Sequence, residues 1–330
     1  MATSQAYAVG RVRVLERGLL GRAGLERLLA ARTPQEFCRM LGEMGWGDAS
    51  NQREVEELAE RHVRDASELM AEAASDRRVT DCFGYRYDAH NLKLLIKAQA
   101  LGRIGEADSL PLMHGGTVSA DDAVKAVRDG HFDAFAPELK QTAEELIGET
   151  AVKVDPLAID ARLDQATYRQ IERNLRHGAP REIRNYFIAQ VDLTNLLIRL
   201  RVRAMGRTGE FARKLMLPGG KVNIEKLAAA ESIADLRELY DGKDYWPRLR
   251  RALEESEQTG DLTPVEKLRD DYLKDMIEKH RYEPLSMLPL VGYMIARERE
   301  AAAVRMIMTA LINRFPVDKL RERLRDMYGN

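Results

Sequence analysis

Residues 88–102 read DAHNLKLLIKAQALG, and residues 192–206 read DLTNLLIRLRVRAMG. The two stretches share an Asp, an Asn-Leu pair beginning three positions on, and a closing Gly at identical spacing, 104 residues apart. The same offset carries Gly115-Gly116-x-Val118 onto Gly219-Gly220-x-Val222, so two segments joined by a loop keep register without an insertion. Such self-similarity marks an internal repeat. A fainter third copy starts at Glu300, where Glu300-x-x-Ala303-Val304-Arg305-Met306-Ile307 keeps the apolar spacing but puts Ala303 where Asn is expected. A further echo links Thr33, Phe37, Leu41 and Trp46 with Ser232, Leu236, Tyr240 and Trp246, each a capped helix followed by an aromatic near a turn. The chain reads as three related modules, placed at 1–107, 108–211 and 212–330.

On a helix, positions 88, 91, 92, 95, 96 and 99 fall on one face. Asp88 and Asn91 therefore share a stripe with Leu92, Leu95 and Ile96, and Asp192 and Asn195 repeat the arrangement. Polar side chains at a packing seam must be hydrogen bonded. The open N–H groups of a neighbouring helix start, or a phenol such as Tyr85, are natural partners. Asp88, Asn91, Asp192 and Asn195 are accordingly read as structural clasps between helices, in preference to catalytic groups.

Composition supports that frame. The 330 residues are 45% hydrophobic and 32% charged, enough to bury a sizeable core in two or three compact units. A formal charge of -1 lacks the broad positive field of a dedicated nucleic-acid binder, so no nucleic-acid partner is expected. Ala, Leu, Arg and Glu dominate and alternating β-branched runs are almost absent, which makes the expected fold class all-α. Thr33-Pro34-Gln35-Glu36 and Thr263-Pro264-Val265-Glu266 read as helix starts, and Ser232-x-x-Asp235 as a weaker one. Glycines 102, 130, 178, 206 and 242 and Pro316 read as stops. Two cysteines, Cys38 and Cys82, in helical stretches suit a reducing compartment. Arg11, Arg13, Glu16 and Arg17 interrupt the apolar residues of the first segment, unlike a secretory leader. The stretch from Pro284 through Ala296 contains Pro289 and is shorter than the ~20 residues needed to cross a bilayer.

Several chemistries lack their residues. No G-x-x-x-x-G-K-[ST] occurs, and the two Gly-Gly pairs lack a following Lys-Ser or Lys-Thr, so they read as turns. Histidines 62, 90, 114, 131, 177 and 280 have no metal-ligand spacing. Neither metal nor cofactor is expected. Asp270-Asp271-Tyr-Leu-Lys-Asp275 supports one alternative, an all-α prenyl-diphosphate enzyme holding magnesium on clustered carboxylates. Only 6% of residues are aromatic, no second such cluster appears, and Lys267, Arg269, Lys274 and Lys279 alternate with the acids, as on a solvated helix face. A second alternative, a helical-repeat adaptor, conflicts with the period, since solenoid repeats run about 20–50 residues.

The combination of Tyr7-Ala-Val-Gly-Arg11-Val-Arg-Val-Leu15, the Asp88-x-x-Asn91-Leu92-Lys93 and Asp192-x-x-Asn195-Leu196 helices with their Gly-Gly turns, and Tyr293…Arg297-Glu-Arg-Glu300…Val304-Arg305-Met-Ile307 resembles the C subunit of archaeal and bacterial V/A-type ATPases, which corresponds to the d subunit of eukaryotic V-ATPases. The resemblance runs along the whole chain. It implies a funnel-shaped, pseudo-threefold arrangement of three helical modules without an active site. Such a protein sits as one copy per complex, peripherally, on the cytoplasmic face of the membrane. It receives the foot of the coiled-coil central stalk and contacts the proteolipid ring, so that its membrane contact is indirect and ATP hydrolysis or synthesis is linked to proton or sodium movement. On this reading Lys93, Arg199, Arg203, Arg297 and Arg305 are the candidates for cavity or interface contacts.

Overall fold

A computed structural model of the chain describes residues 5–74, 76–150 and 154–329, and among them every regular element is a helix. The all-α reading therefore holds. In chain order the α-helices are α1 (Gln5–Leu15), α2 (Gly21–Leu29), α3 (Pro34–Glu43), α4 (Gln52–Ala73), α5 (Arg77–Ala100), α6 (Ala120–Asp129), α7 (Pro137–Thr150) and α8 (Pro156–Leu175). They continue as α9 (Arg181–Ala204), α10 (Gly209–Leu215), α11 (Ile224–Ala229), α12 (Ile233–Tyr240), α13 (Trp246–Thr259), α14 (Thr263–Glu278), α15 (Leu288–Ile312) and α16 (Val317–Arg323). None of the described helices is long and apolar enough to cross a membrane.

Short polar side chains start many of these helices by accepting a backbone N–H that has no partner inside the helix. Asn51, Asp76, Ser119, Asp155, Thr208 and Asn223 each do this for the helix that follows. Thr33 caps α3 through the Glu36 N–H, while the Glu36 carboxylate reaches past the cap to the Arg32 N–H at 2.8 Å. Ser232 and Asp235 form a complete capping box, so the shorter acid suffices at α12. At α14 the structure differs from the sequence expectation: Thr263 is already helical, and its N–H and hydroxyl both donate to Asp261 Oδ1, at 2.9 and 2.7 Å.

The chain divides into two compact units, Met1–Ser75 with Glu266–Asn330, and Asp76–Val265. In the first, α4 lies along α15. The buried face of α4 carries Val55, Leu58, Ala59, Val63, Ala66, Leu69 and Met70, the three-and-four spacing of a one-sided helix. In the second unit, α5 packs on α6, α7 and α8, α9 packs on α10 and α11, and α12 packs on α13.

Three long helices, α5, α9 and α15, are buried over most of their surface, and the buried residues include the polar Asp88, Asn91, Asp192, Asn195, Arg199, Arg297 and Glu300. Their C-terminal turns close alike. The N–H of Arg103 bonds to Ala98 O at 2.7 Å, that of Arg207 to Val202 O at 3.0 Å, and that of Phe315 to Ala310 O at 2.8 Å. The reversal needs a left-handed residue, supplied by Gly102 (φ +68°), Gly206 (φ +66°) and, unusually, Arg314 (φ +52°). Aligned by these ends, Glu300 of α15 takes the register of Asp192 in α9 and Asp88 in α5.

A side chain at a left-handed position crowds its own backbone. Arg314→Gly should therefore raise unfolding free energy by about 0.5–1 kcal/mol, whereas Gly102→Ala should lower it by about 1 kcal/mol. Denaturant titration of the two variants checks the opposite signs.

Candidate functional site

The repeated Asp and Asn side chains hold a later turn of chain: for α5 the one before α6, and for α9 the one between α10 and α11. On α5, Asn91 Nδ2 donates to Met113 O at 2.9 Å while its Oδ1 accepts the Met113 N–H at 2.8 Å. On α9, Asn195 treats Leu217 in the same way, at 2.9 and 2.7 Å. This reciprocal pairing needs one donor and one acceptor on a single short side chain, which Asn has and an ionised Asp lacks. Three residues earlier, Asp88 accepts the Val118 N–H at 3.1 Å and the Thr117 hydroxyl at 2.6 Å. Asp192 accepts the N–H groups of Lys221 and Val222 at 2.8 and 2.9 Å, with Lys243 Nζ 3.4 Å away. The receiving residues Val118 and Val222 directly precede the N-caps Ser119 and Asn223, so each carboxylate fixes the entry to the next helix. Tyr85, the alternative partner, instead accepts from Asn174 Nδ2 at 2.8 Å.

The glycine pairs find their reason here. Gly115 and Gly219 take positive φ, +112° and +91°. Gly116 and Gly220 lie directly against the carboxylates: a Cβ on either would overlap Oδ1 of Asp88 or Asp192. One glycine turns the chain and the next admits the acid.

Glu300, in the same register on α15, also binds backbone. It accepts from the N–H groups of Leu20 and Gly21, from Trp46 Nε1 at 3.2 Å and from Arg297 Nη1 at 3.0 Å. Glu has one more methylene than Asp, and Ala303 leaves the Asn position empty of hydrogen bonds. The third copy therefore keeps the carboxylate and loses the amide. Glu300 was legible only as the start of a faint repeat, because the loop it holds comes from the other end of the sequence.

Burial pushes the Asp88 carboxyl up to about 6, with the Thr117 and Val118 hydrogen bonds opposing the rise. Burial likewise raises Glu300, against the pull of Arg297, Trp46 and the two backbone donors.

The five basic candidates are engaged within the chain. Lys93 pairs with Asp164 and Arg305 with Glu56. Arg297 donates from Nε to Tyr293 Oη at 2.9 Å and from Nη1 to Gly18 O at 3.2 Å, besides its bond to Glu300. Arg203 donates to Glu231 O at 2.6 Å and stands 3.6 Å from Glu257. Arg199 is 1% exposed and meets Glu231 Oε1 at 2.6 Å. Asp270 and Asp271 of the acidic stretch are occupied by cations: Arg269 and Arg325 on the first, Lys267 and Arg299 on the second. No group of three or more His, Cys, Asp or Glu residues among the described ones is arranged to hold a metal ion.

Comparison with known proteins adds the context that geometry lacks. The family model described as ATP synthase (C/AC39) subunit matches residues 8–323. Among curated proteins, the C subunit of the V-type sodium ATPase of Enterococcus hirae is 25% identical over 266 residues, covering 78% of each chain. The C subunit of the A-type ATP synthase of Methanothermobacter thermautotrophicus is 25% identical over 326 residues, 92% of this chain and 82% of the relative. That of Thermococcus kodakarensis is 24% identical over 323 residues, 93% and 86%.

Two sets of variants test the clasps. Gly116→Ala or Gly220→Ala should each cost about 1–3 kcal/mol, because the added methyl drives the carboxylate off its donors. Asp192→Ala should cost a similar amount. The folded chain holds the Asp88 proton more tightly than the unfolded chain, so this group's contribution to stability falls as pH rises from near 3.8 to about 6 and is level above that. Asp88→Asn, which keeps an acceptor for the Val118 N–H, should flatten that slope when melting is followed from pH 4 to 7.

Proposed function

The chain belongs to the ATP synthase (C/AC39) subunit family, and from that membership we propose a mechanical role for it within a rotary, ion-translocating ATPase. It acts as a non-catalytic coupler, a socket between the coiled-coil central stalk and the proteolipid ring, carried peripherally on the cytoplasmic face of the membrane. The observation that carries this reading is the family match, which takes in nearly the whole chain.

The local structure supports it on physical grounds. A torque-bearing part must resist deformation, and helices packed at interior density transmit strain with little give. Here the long helices are largely buried, and the turns before α6 and α11 are tied back to α5 and α9 through paired hydrogen bonds rather than left to swing. The clasp residues Asp88, Asn91, Asp192 and Asn195 serve stiffness on this reading. Three related modules closing into a pseudo-threefold funnel would give the stalk a seat. Lys93, Arg203 and Arg305, whose side chains stay 20–34% exposed, are the basic residues best placed to exchange an internal partner for one on a neighbouring protein of the complex.

Omitting the chain from a reconstituted complex should leave ATP hydrolysis by the soluble head intact and abolish ion pumping. The purified chain should co-elute both with a stalk heterodimer and with detergent-solubilised ring. Pumping without the chain, or binding to neither partner, would overturn the role.

A further inference from the structure

Two arginines of α9 stand where the corresponding residue of its sister helix α5 is uncharged. Arg199, in the place of Leu95 and of Ile307 in α15, is 1% exposed and pairs with Glu231, so it is shut away from any ligand. Arg184 takes the place of Thr80, which is buried and gives its hydroxyl to Arg77 O at 3.2 Å. Arg184 is only half-buried, and among the described residues it has neither a hydrogen-bond nor an ion-pair partner. One turn on, Ile188 replaces Gly84. The 115–117 turn lies so close to Gly84 that a Cβ there would stand 3.1 Å from Thr117 Cγ2. Ile188 instead lines a cavity, together with the matching turn at Pro218 and Gly219.

That cavity, about 220 Å³, lies between α8 and α9, with hydrocarbon walls from Ile171, Leu175, Phe187 and Val191. Phe187 is also one of three packed rings, its centroid 5.0 Å from that of Phe83 and 5.2 Å from that of Tyr186. An apolar hollow of about 150 Å³ is large enough for benzene, so a single aromatic ring fits here and extends the cluster. Arg176, Arg184 and Glu172 complete the lining. Arg176 is exposed and, like Arg184, has no partner among the described residues. Two guanidinium groups against one carboxylate leave a single positive charge in excess, which one anionic group matches. A guanidinium fork suits a planar carboxylate, which accepts two parallel N–H bonds.

We propose that the cavity between α8 and α9 binds a small aromatic monocarboxylate, its ring packed against Phe187 and its carboxylate accepting from Arg184 and Arg176 at the solvent edge. The volume is below the about 300 Å³ at which pockets for drug-sized ligands begin, which limits the ligand to one ring. The site lies within one compact unit and is independent of the coupling role.

Calorimetric titration of the full chain with phenylacetate tests the idea. Saturable binding is expected, at least tenfold tighter than that of benzyl alcohol, which keeps the ring and lacks the charge, or of acetate, which keeps the charge and lacks the ring. The double variant Arg176→Ala with Arg184→Thr removes both cations from the solvent edge; it should melt with the parent and bind phenylacetate at least tenfold more weakly. Glu172→Gln removes the opposing charge and should tighten binding several-fold, which gives a second readout if the double variant fails to fold. Absence of saturable phenylacetate binding, equal binding of benzyl alcohol or acetate, or unchanged affinity in the variants that fold would overturn the proposal.

Discussion

The segments that α5 and α9 hold turn past largely buried helix faces, and at Val118, Leu217 and Val222 their backbone N–H groups are buried. Such groups must be hydrogen bonded by something. A helical ladder cannot supply the partners, because Val118, Leu217 and Val222 lie between helices. The helix does so with two side chains one turn apart: an amide that exchanges two bonds with Met113 or Leu217, and a carboxylate that gathers the donors ahead of the next helix start. The positive-φ glycines, the missing Cβ beside each acid and the N-caps Ser119 and Asn223 all follow from that requirement.

The same requirement accounts for the third helix. Glu300 holds backbone from the α1–α2 connection, and its extra methylene spans to Leu20 and Gly21, with Trp46 and Arg297 filling its remaining lone pairs. The buried Glu300 carboxylate meets four donors, whereas Arg199 has one acceptor for its three nitrogens. The contrast separates charges that serve the fold from one that the fold alone does not explain.

Much of this was open to reading from residue order. Helical class follows from composition and from the three-and-four spacing of apolar residues, which are properties of single segments. The repeat follows from register alone, and it pointed to Asp88, Asn91, Asp192, Asn195 and the glycine pairs because identical spacing across a loop implies identical geometry at its ends. Family membership followed from the same residues taken together, and the match over 8–323 agrees with it.

Partners were a different matter. Whether Asp88 would meet Tyr85 or a loop N–H depended on where the chain returns, and Tyr85 is taken by Asn174 from α8. Glu300 and Leu20 are 280 residues apart, and a local pattern carries no information about a contact at that separation. The linear order of residues thus determined the helices, the repeat and the polar residues that needed partners. Only the tertiary structure decided which donors meet them, which basic side chains are spent internally, and that Arg199 stands where its sisters bury hydrocarbon. Helix formation and side-chain periodicity are set within a few turns, while satisfaction of buried polar groups is settled only when distant segments pack.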